Sequence, residues 1–290
     1  MPIAEEISTA AADGLSTLTG RITCEKELRT SHTVIRIQNL AADEALCFGI
    51  AAYVVALRAR SIDVALRIRK AALPDAPETK ADLLSDIKKM CGVDPVPVDI
   101  ALFKQNQRNP WLSECFTHML MHAASVHPDT HSPGAVLGAW TTHTRPNDPG
   151  LDVATLYRRD GSLGVGILET KACENTAPAA VQDATRYFQE VDAGEHSDRL
   201  RQAVDMLSSA LDAEEAATLS LMLWRDERAY IANPQYEFGL PGTSWSKRRP
   251  TLAALEPDRD RVVILACPID DFQGFFDCLA ASAVQFTEGL

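Results

Sequence analysis

Apolar and polar positions change period several times along the chain, and each change marks an element. Thr33-Val34-Ile35-Arg36-Ile37 repeats with period two, so the stretch from Arg21 to Gln38 predicts one or two strands. From Ala42 to Arg58 the pattern turns almost continuously apolar around Ala45 to Val55, which is too long for a strand and predicts a helix. Pro74 and Pro77 punctuate the next stretch, a helix opens near Ala81, and Asp94-Pro95-Val96-Pro97 breaks the pattern again. Polar residues from Gln105 to Asn109 followed by Pro110 set a boundary there. Residues 1–107 are read as an N-terminal α/β accessory region and residues 108–290 as a second domain.

The second part opens with Pro110 at a first helical position and a helix from Trp111 to about Ser125. Leu112, Cys115, Phe116, Met119 and Ala123 form its apolar stripe, leaving Glu114, His118 and His122 on an adjoining face. Histidines so placed are more often hydrogen-bonded flank than metal ligands, whereas Glu114 can offer a carboxylate to elements that follow. Asn175-Thr176-Ala177-Pro178 is a cap and first turn for a helix to about Val191, with Val181, Ala184, Thr185 and Phe188 buried. Gln182 in its first turns would point back toward the preceding strand. Helices near Arg199 to Leu211 and Ala213 to Trp224, a buried strand at Arg261 to Cys267 and a closing helix from Asp271 to Ala283 complete the pattern.

Between these helices lies the most informative segment. Leu151 to Arg159 and Ser162 to Lys171 are two β-prone runs separated by Asp160-Gly161, the dipeptide that a type I′ hairpin turn favours. Counting outward from the turn sets Arg159 against Ser162 and Asp152 against Glu169. Directly opposed carboxylates have Cβ atoms roughly 4.5–5.5 Å apart and repel. A positive charge is required between them. Lys171 shares the face of Glu169 and supplies part of it. A lysine alone would make a structural ion pair; a divalent cation with oxygen ligands would make a hydrolytic site.

A second copy of the tripeptide provides a control. Glu78-Thr79-Lys80 repeats Glu169-Thr170-Lys171, but it precedes a helix, where the dipole favours acidic residues without any chemistry. The strand and the opposed aspartate distinguish the later copy.

Composition narrows the class. With 46% hydrophobic and 23% charged residues, 290 residues can bury a sizeable core. No apolar run reaches membrane-spanning length and the first residues lack a secretory pattern, so a cytoplasmic protein is expected. Seven scattered cysteines without a CxxC read as free thiols and argue against zinc. Cys173 lies near the carboxylates without a histidine partner in local sequence, which makes a cysteine hydrolase the weaker reading. The net charge of −12 disfavours bulk attraction to nucleic acid. Local basic groups remain: Arg158-Arg159, Arg186, Arg199, Arg201 and Lys247-Arg248-Arg249.

In order, a helix with Glu114, a strand with Asp152, a strand with Glu169-Thr170-Lys171 and a helix with Gln182 resemble the PD-(D/E)xK nuclease superfamily. The resemblance spans about Trp111 to Val191. It implies a restriction-endonuclease-like core, a mixed sheet flanked by helices, and Mg²⁺ or Mn²⁺ held by Asp152, Glu169 and the Thr170 carbonyl. Lys171 would serve the attacking water, with Glu114 and Gln182 in support. Leu151 rather than proline precedes Asp152, and Tyr187 follows Gln182 by five positions, an imperfect match to the glutamine–tyrosine motif of the RecB-like branch. Gly150-Leu151-Asp152, Asp160-Gly161, Tyr230-Ile231-Ala232 and Pro268-Ile269-Asp270-Asp271 are similar to the nuclease subunit of Hachiman-type anti-phage defence systems. That similarity implies DNA degradation restrained by a helicase or ATPase partner, and the chain has no GxxxxGK[ST] of its own. The alternative is a catalytically silent module of the same fold that binds DNA or a protein.

Overall fold

The computed structural model describes residues 3–59, 79–125, 133–140, 151–219, 223–241, 245 and 249–290. Glu78, Gly150, Lys247, Arg248 and the Pro74–Pro77 stretch lie outside them. The main helices are α1 (Ile3–Arg21), α2 (Glu44–Ala59), α3 (Lys80–Cys91), α4 (Asn109–Ala124), α5 (Ala177–Asp192), α6 (Ser197–Leu207) and α7 (Phe272–Gly289). The strands are β1 (Thr23–Leu28), β2 (Thr33–Gln38), β3 (Leu40–Ala41), β4 (Ala135–Trp140), β5 (Val153–Arg159), β6 (Ser162–Ala172), β7 (Arg228–Glu237) and β8 (Val262–Asp270). α1, β3, β4 and the central strand β7 are additions to the elements expected from the pattern.

The strands form one mixed sheet in the order β1-β2-β8-β7-β6-β5-β4, with β3 beside β8. β6, β7, β8 and β2 run parallel, and antiparallel pairs close both ends. Alternation sorts the side chains: Val153, Leu168 and Ile231 face a core built with α1, α2, α3, α4 and α7. Ala154, Ile167 and Ala232 face the core under α5 and α6. The mixed α/β class, a sheet flanked by helices on both faces, is as expected. β2 pairs with β8 (Thr33 opposite Val263), so strands from both sides of the boundary drawn near residue 107 share one sheet. At that boundary a π-helical turn, Lys104–Arg108, leads straight into α4, and buried Arg108 bonds Asp277 of α7 at 2.5 Å.

Local rules account for the element that matters most. Asp160 and Gly161 both have positive φ, 51° and 84°, as a type I′ turn demands. Pairing then follows the count, from Arg159 opposite Ser162 to Val153 opposite Leu168. Gly164 is required for close approach: a Cβ there would lie 2.4 Å from the Tyr157 ring across the hairpin. A helix opens at the earlier tripeptide, where Thr79 caps α3 in a reciprocal box with Asp82. No helix among the described residues is long and apolar enough to cross a membrane.

Candidate functional site

Asp152 precedes β5 by one residue, and Val153 opposite Leu168 carries the register on to Asp152 opposite Glu169. Both carboxylates are buried, at 5% and 6% exposure. The Thr170 backbone N–H donates to Asp152 Oδ2 at 2.7 Å, which fixes that carboxylate against β6. Lys171 Nζ lies 3.6 Å from Glu169 Oε2, while Glu169 Oε1 is buried with no hydrogen-bond partner. An unpaired buried carboxylate oxygen is costly.

Burial and mutual repulsion govern the electrostatics of Glu169. Burial, then the Asp152 carboxylate, push Glu169 well above the usual range, with Glu114 adding to the effect and Lys171 opposing it. Burial pulls the Lys171 ammonium down, but Asp152, Glu169 and Glu114 outweigh it and leave the group above its ordinary value. Glu114 therefore acts on the same centre from the first turns of α4. Asp152, Glu169 and Glu114 all act on the Lys171 ammonium. Carboxylate oxygens are hard donors of the kind that can hold Mg²⁺ or Mn²⁺.

Tyr187 belongs to this neighbourhood although sequence spacing undervalued it. Burial raises its phenol, and Glu169 and Asp152 raise it further; its hydroxyl is buried without a partner. Its ring stacks on His196 at 4.7 Å. Gln182 is exposed on α5. The physical difference is helical phase, since Tyr187 sits beside the buried stripe of Ala184, Phe188 and Val191.

Thr170 points to the opposite face and enters a fully buried polar knot. Its hydroxyl donates to Thr117 Oγ1 of α4 at 3.0 Å. Thr117 Oγ1 is also 2.6 Å from Asn233 Oδ1, 2.9 Å from the Ser113 carbonyl and 3.0 Å from Gln235 Nε2. Gln235 Nε2 additionally donates to the Ser113 carbonyl at 3.0 Å. Ser113 adjoins Glu114, so the knot joins the helix bearing one carboxylate to the strand bearing another.

Other candidates find structural roles. His118 Nδ1 meets the Tyr53 hydroxyl at 2.9 Å and its Nε2 meets the Ala139 carbonyl at 3.2 Å, while the His122 ring lies tilted at 36° with its centre 5.0 Å from that of His118. Cys173 is buried, its thiol bonds the Gln235 carbonyl, and burial pushes it up to about 12, which disfavours the thiolate. Arg158 pairs with Glu215 and Arg159 with Asp260, so the hairpin tip offers little uncompensated charge. A cavity of about 230 Å³ at that tip, lined in part by Arg159, Glu227, Asp260 and Arg261, is at the far end of the hairpin from Glu169. Among the described residues, three potential metal ligands lie within 4.8 Å of one another only at Glu190, Glu195 and His196. The Glu114, Asp152 and Glu169 set is more open than that, and Glu190 already bonds His196 at 3.0 Å.

No protein-family model matches the chain, and no curated protein matches it significantly.

Proposed function

We propose that the chain is a metal-dependent nuclease that hydrolyses phosphodiester bonds of DNA, acting as the effector of a phage-defence system under control of a helicase or ATPase partner. One observation carries the hydrolytic reading: Glu169 is buried beside a second carboxylate, with one oxygen unpartnered and its acidity suppressed. Asp152, Glu169, the Thr170 carbonyl and Glu114 are the oxygen donors that would hold Mg²⁺ or Mn²⁺. Such an ion, when bound, polarises a phosphodiester and lowers the pKa of a coordinated water.

The chain's own groups do the remaining work. Asp152 is held in orientation by the Thr170 N–H, so its carboxylate is set before substrate arrives. Lys171, kept protonated by its acidic neighbours and 44% exposed at the side chain, can donate to an attacking water or to an oxygen gaining charge on phosphorus. Direct attack by water needs no covalent intermediate and no thiolate from Cys173, whose pKa burial raises. The defence assignment and the helicase partner rest on the sequence resemblance.

Glu169→Gln and Lys171→Met are expected to fold and to lose at least about a hundredfold in Mg²⁺-dependent DNA cleavage. Asp152→Ala is expected to lose Mn²⁺ binding by calorimetry. Variants that cut as fast as the parent overturn the reading. Retained DNA binding without cleavage or metal uptake in the parent would instead establish an interaction module.

A further inference from the structure

Cys47 of α2 and Cys278 of α7 come from distant parts of the chain and meet where the two helices pack. Cys47 Sγ lies 4.0 Å from the Phe275 carbonyl oxygen. Cys278 follows Phe275 by three residues, so both belong to one face of α7. The Cys278 thiol is within hydrogen-bonding reach of the Cys47 thiol. Burial, then contact with Cys278, then the Asp43 carboxylate push the Cys47 thiol up. Cys47 is fully buried, whereas Cys278 is half-buried. One sulfur of the pair therefore reaches solvent and the other does not.

The other cysteines lack this combination of contact and access. Cys91 acts on Cys115, but the two are only 3% and 7% exposed, which shuts out a dissolved oxidant. Cys24 is half-buried and acts on Cys267 of β8. However, Cys24 pairs with Ile37 of β2, and β2 lies between β1 and β8. Two strand spacings of about 4.8 Å each put those Cα atoms beyond the roughly 7 Å that a disulfide can span. Cys173 is buried against the Gln235 carbonyl.

We propose that Cys278 is a site of oxidation by peroxides and that Cys47 resolves it into a disulfide tying α2 to α7. The Cys278 thiolate attacks one peroxide oxygen, the O–O bond breaks, and the other oxygen leaves and takes up the thiol proton. Sulfur loses two electrons and becomes a sulfenic acid, while the peroxide is reduced to water or an alcohol. The Cys47 sulfur then attacks the Cys278 sulfur. The S–S bond forms, the S–O bond breaks, and the departing hydroxyl carries the Cys47 proton away as water. Contact between the sulfurs makes this second step intramolecular, which offsets the small thiolate fraction of Cys47. The inference stands independently of the nuclease reading, because neither cysteine belongs to the Glu169 centre.

The test exposes the folded, reduced full chain to hydrogen peroxide, blocks the remaining thiols with iodoacetamide and maps unreduced peptides by tandem mass spectrometry. A Cys47–Cys278 cross-link lighter by two hydrogens is expected, removed by dithiothreitol before alkylation and absent from Cys278→Ser. In Cys47→Ala the reaction should stop at the sulfenic acid, trapped at Cys278 by dimedone at least about tenfold more than in the parent. Should Cys47→Ala not fold, the parent and Cys278→Ser carry the decision, since Cys278 is half-buried and serine is nearly isosteric. Recovery of both cysteines alkylated after peroxide overturns the proposal. So does Cys278 carried on to sulfinic acid with Cys47 still alkylated, or a bridge formed by a different cysteine pair instead.

Discussion

Glu169 ties the proposed cation site to protonation. Its pKa in the fold lies above the ordinary 4.5, so it contributes stability that is fully present below that value and is lost as pH rises through the folded pKa. The metal-free chain should therefore lose melting temperature as pH climbs from about 4.5 through that window, and Glu169→Gln should flatten this part of the profile. A divalent cation bound as proposed would have to displace the same proton. Calorimetry with Mn²⁺ in buffers of different ionisation enthalpy should report proton release, with affinity rising as pH rises; heats independent of buffer would remove Glu169 from the ligand set. The tripeptide at Glu169, its opposed aspartate and the sign of Lys171 were legible in sequence because a two-residue turn fixes every pairing outward from it. Tyr187 was not, since its relation to the carboxylates depends on how α5 is rolled against the sheet.

At the scale of elements, the polar knot decides whether α4 and β6 present their carboxylates together. Thr117, Asn233 and Gln235 are at most 1% exposed, and the Thr117 hydroxyl is shared among four partners. Thr117→Val keeps the shape but strands the hydroxyl of Thr170, while the Gln235 amide keeps the Ser113 carbonyl and Asn233 Oδ1, at a cost of about 1–3 kcal/mol. Urea denaturation should show that loss, and Thr117→Ser should recover most of it. Equal midpoints for the parent and Thr117→Val would mean the knot contributes nothing. Nothing in Tyr230-Ile231-Ala232-Asn233-Pro234-Gln235 announces this arrangement. Two amides in a buried strand become intelligible only when the helix supplying Ser113 and Thr117 lies across them.

For the whole molecule, Asp192 at the end of α5 ties that helix to the sheet and to the crossing segment beyond it. It accepts from Arg228 Nε at 2.9 Å, from the Tyr230 hydroxyl at 2.5 Å and from the Glu256 backbone at 3.0 Å. Asp192→Ala leaves a nearly buried guanidinium without this partner and is expected to cost about 3–5 kcal/mol, read as a fall in denaturation midpoint. An unchanged midpoint would show that Glu256, the other acid on Arg228, suffices. Periodicity determined the local elements: the β5–β6 hairpin, the helices α2, α4 and α5, and the buried strand β8, because strand alternation, helical stripes and turn dipeptides act over a few residues. Only the tertiary structure decided that β2 lies against β8, that the two halves share one sheet, and that Arg249 reaches the β1–β2 turn. Those contacts join residues far apart in the chain, and their free energy comes from burial that no short window of sequence contains.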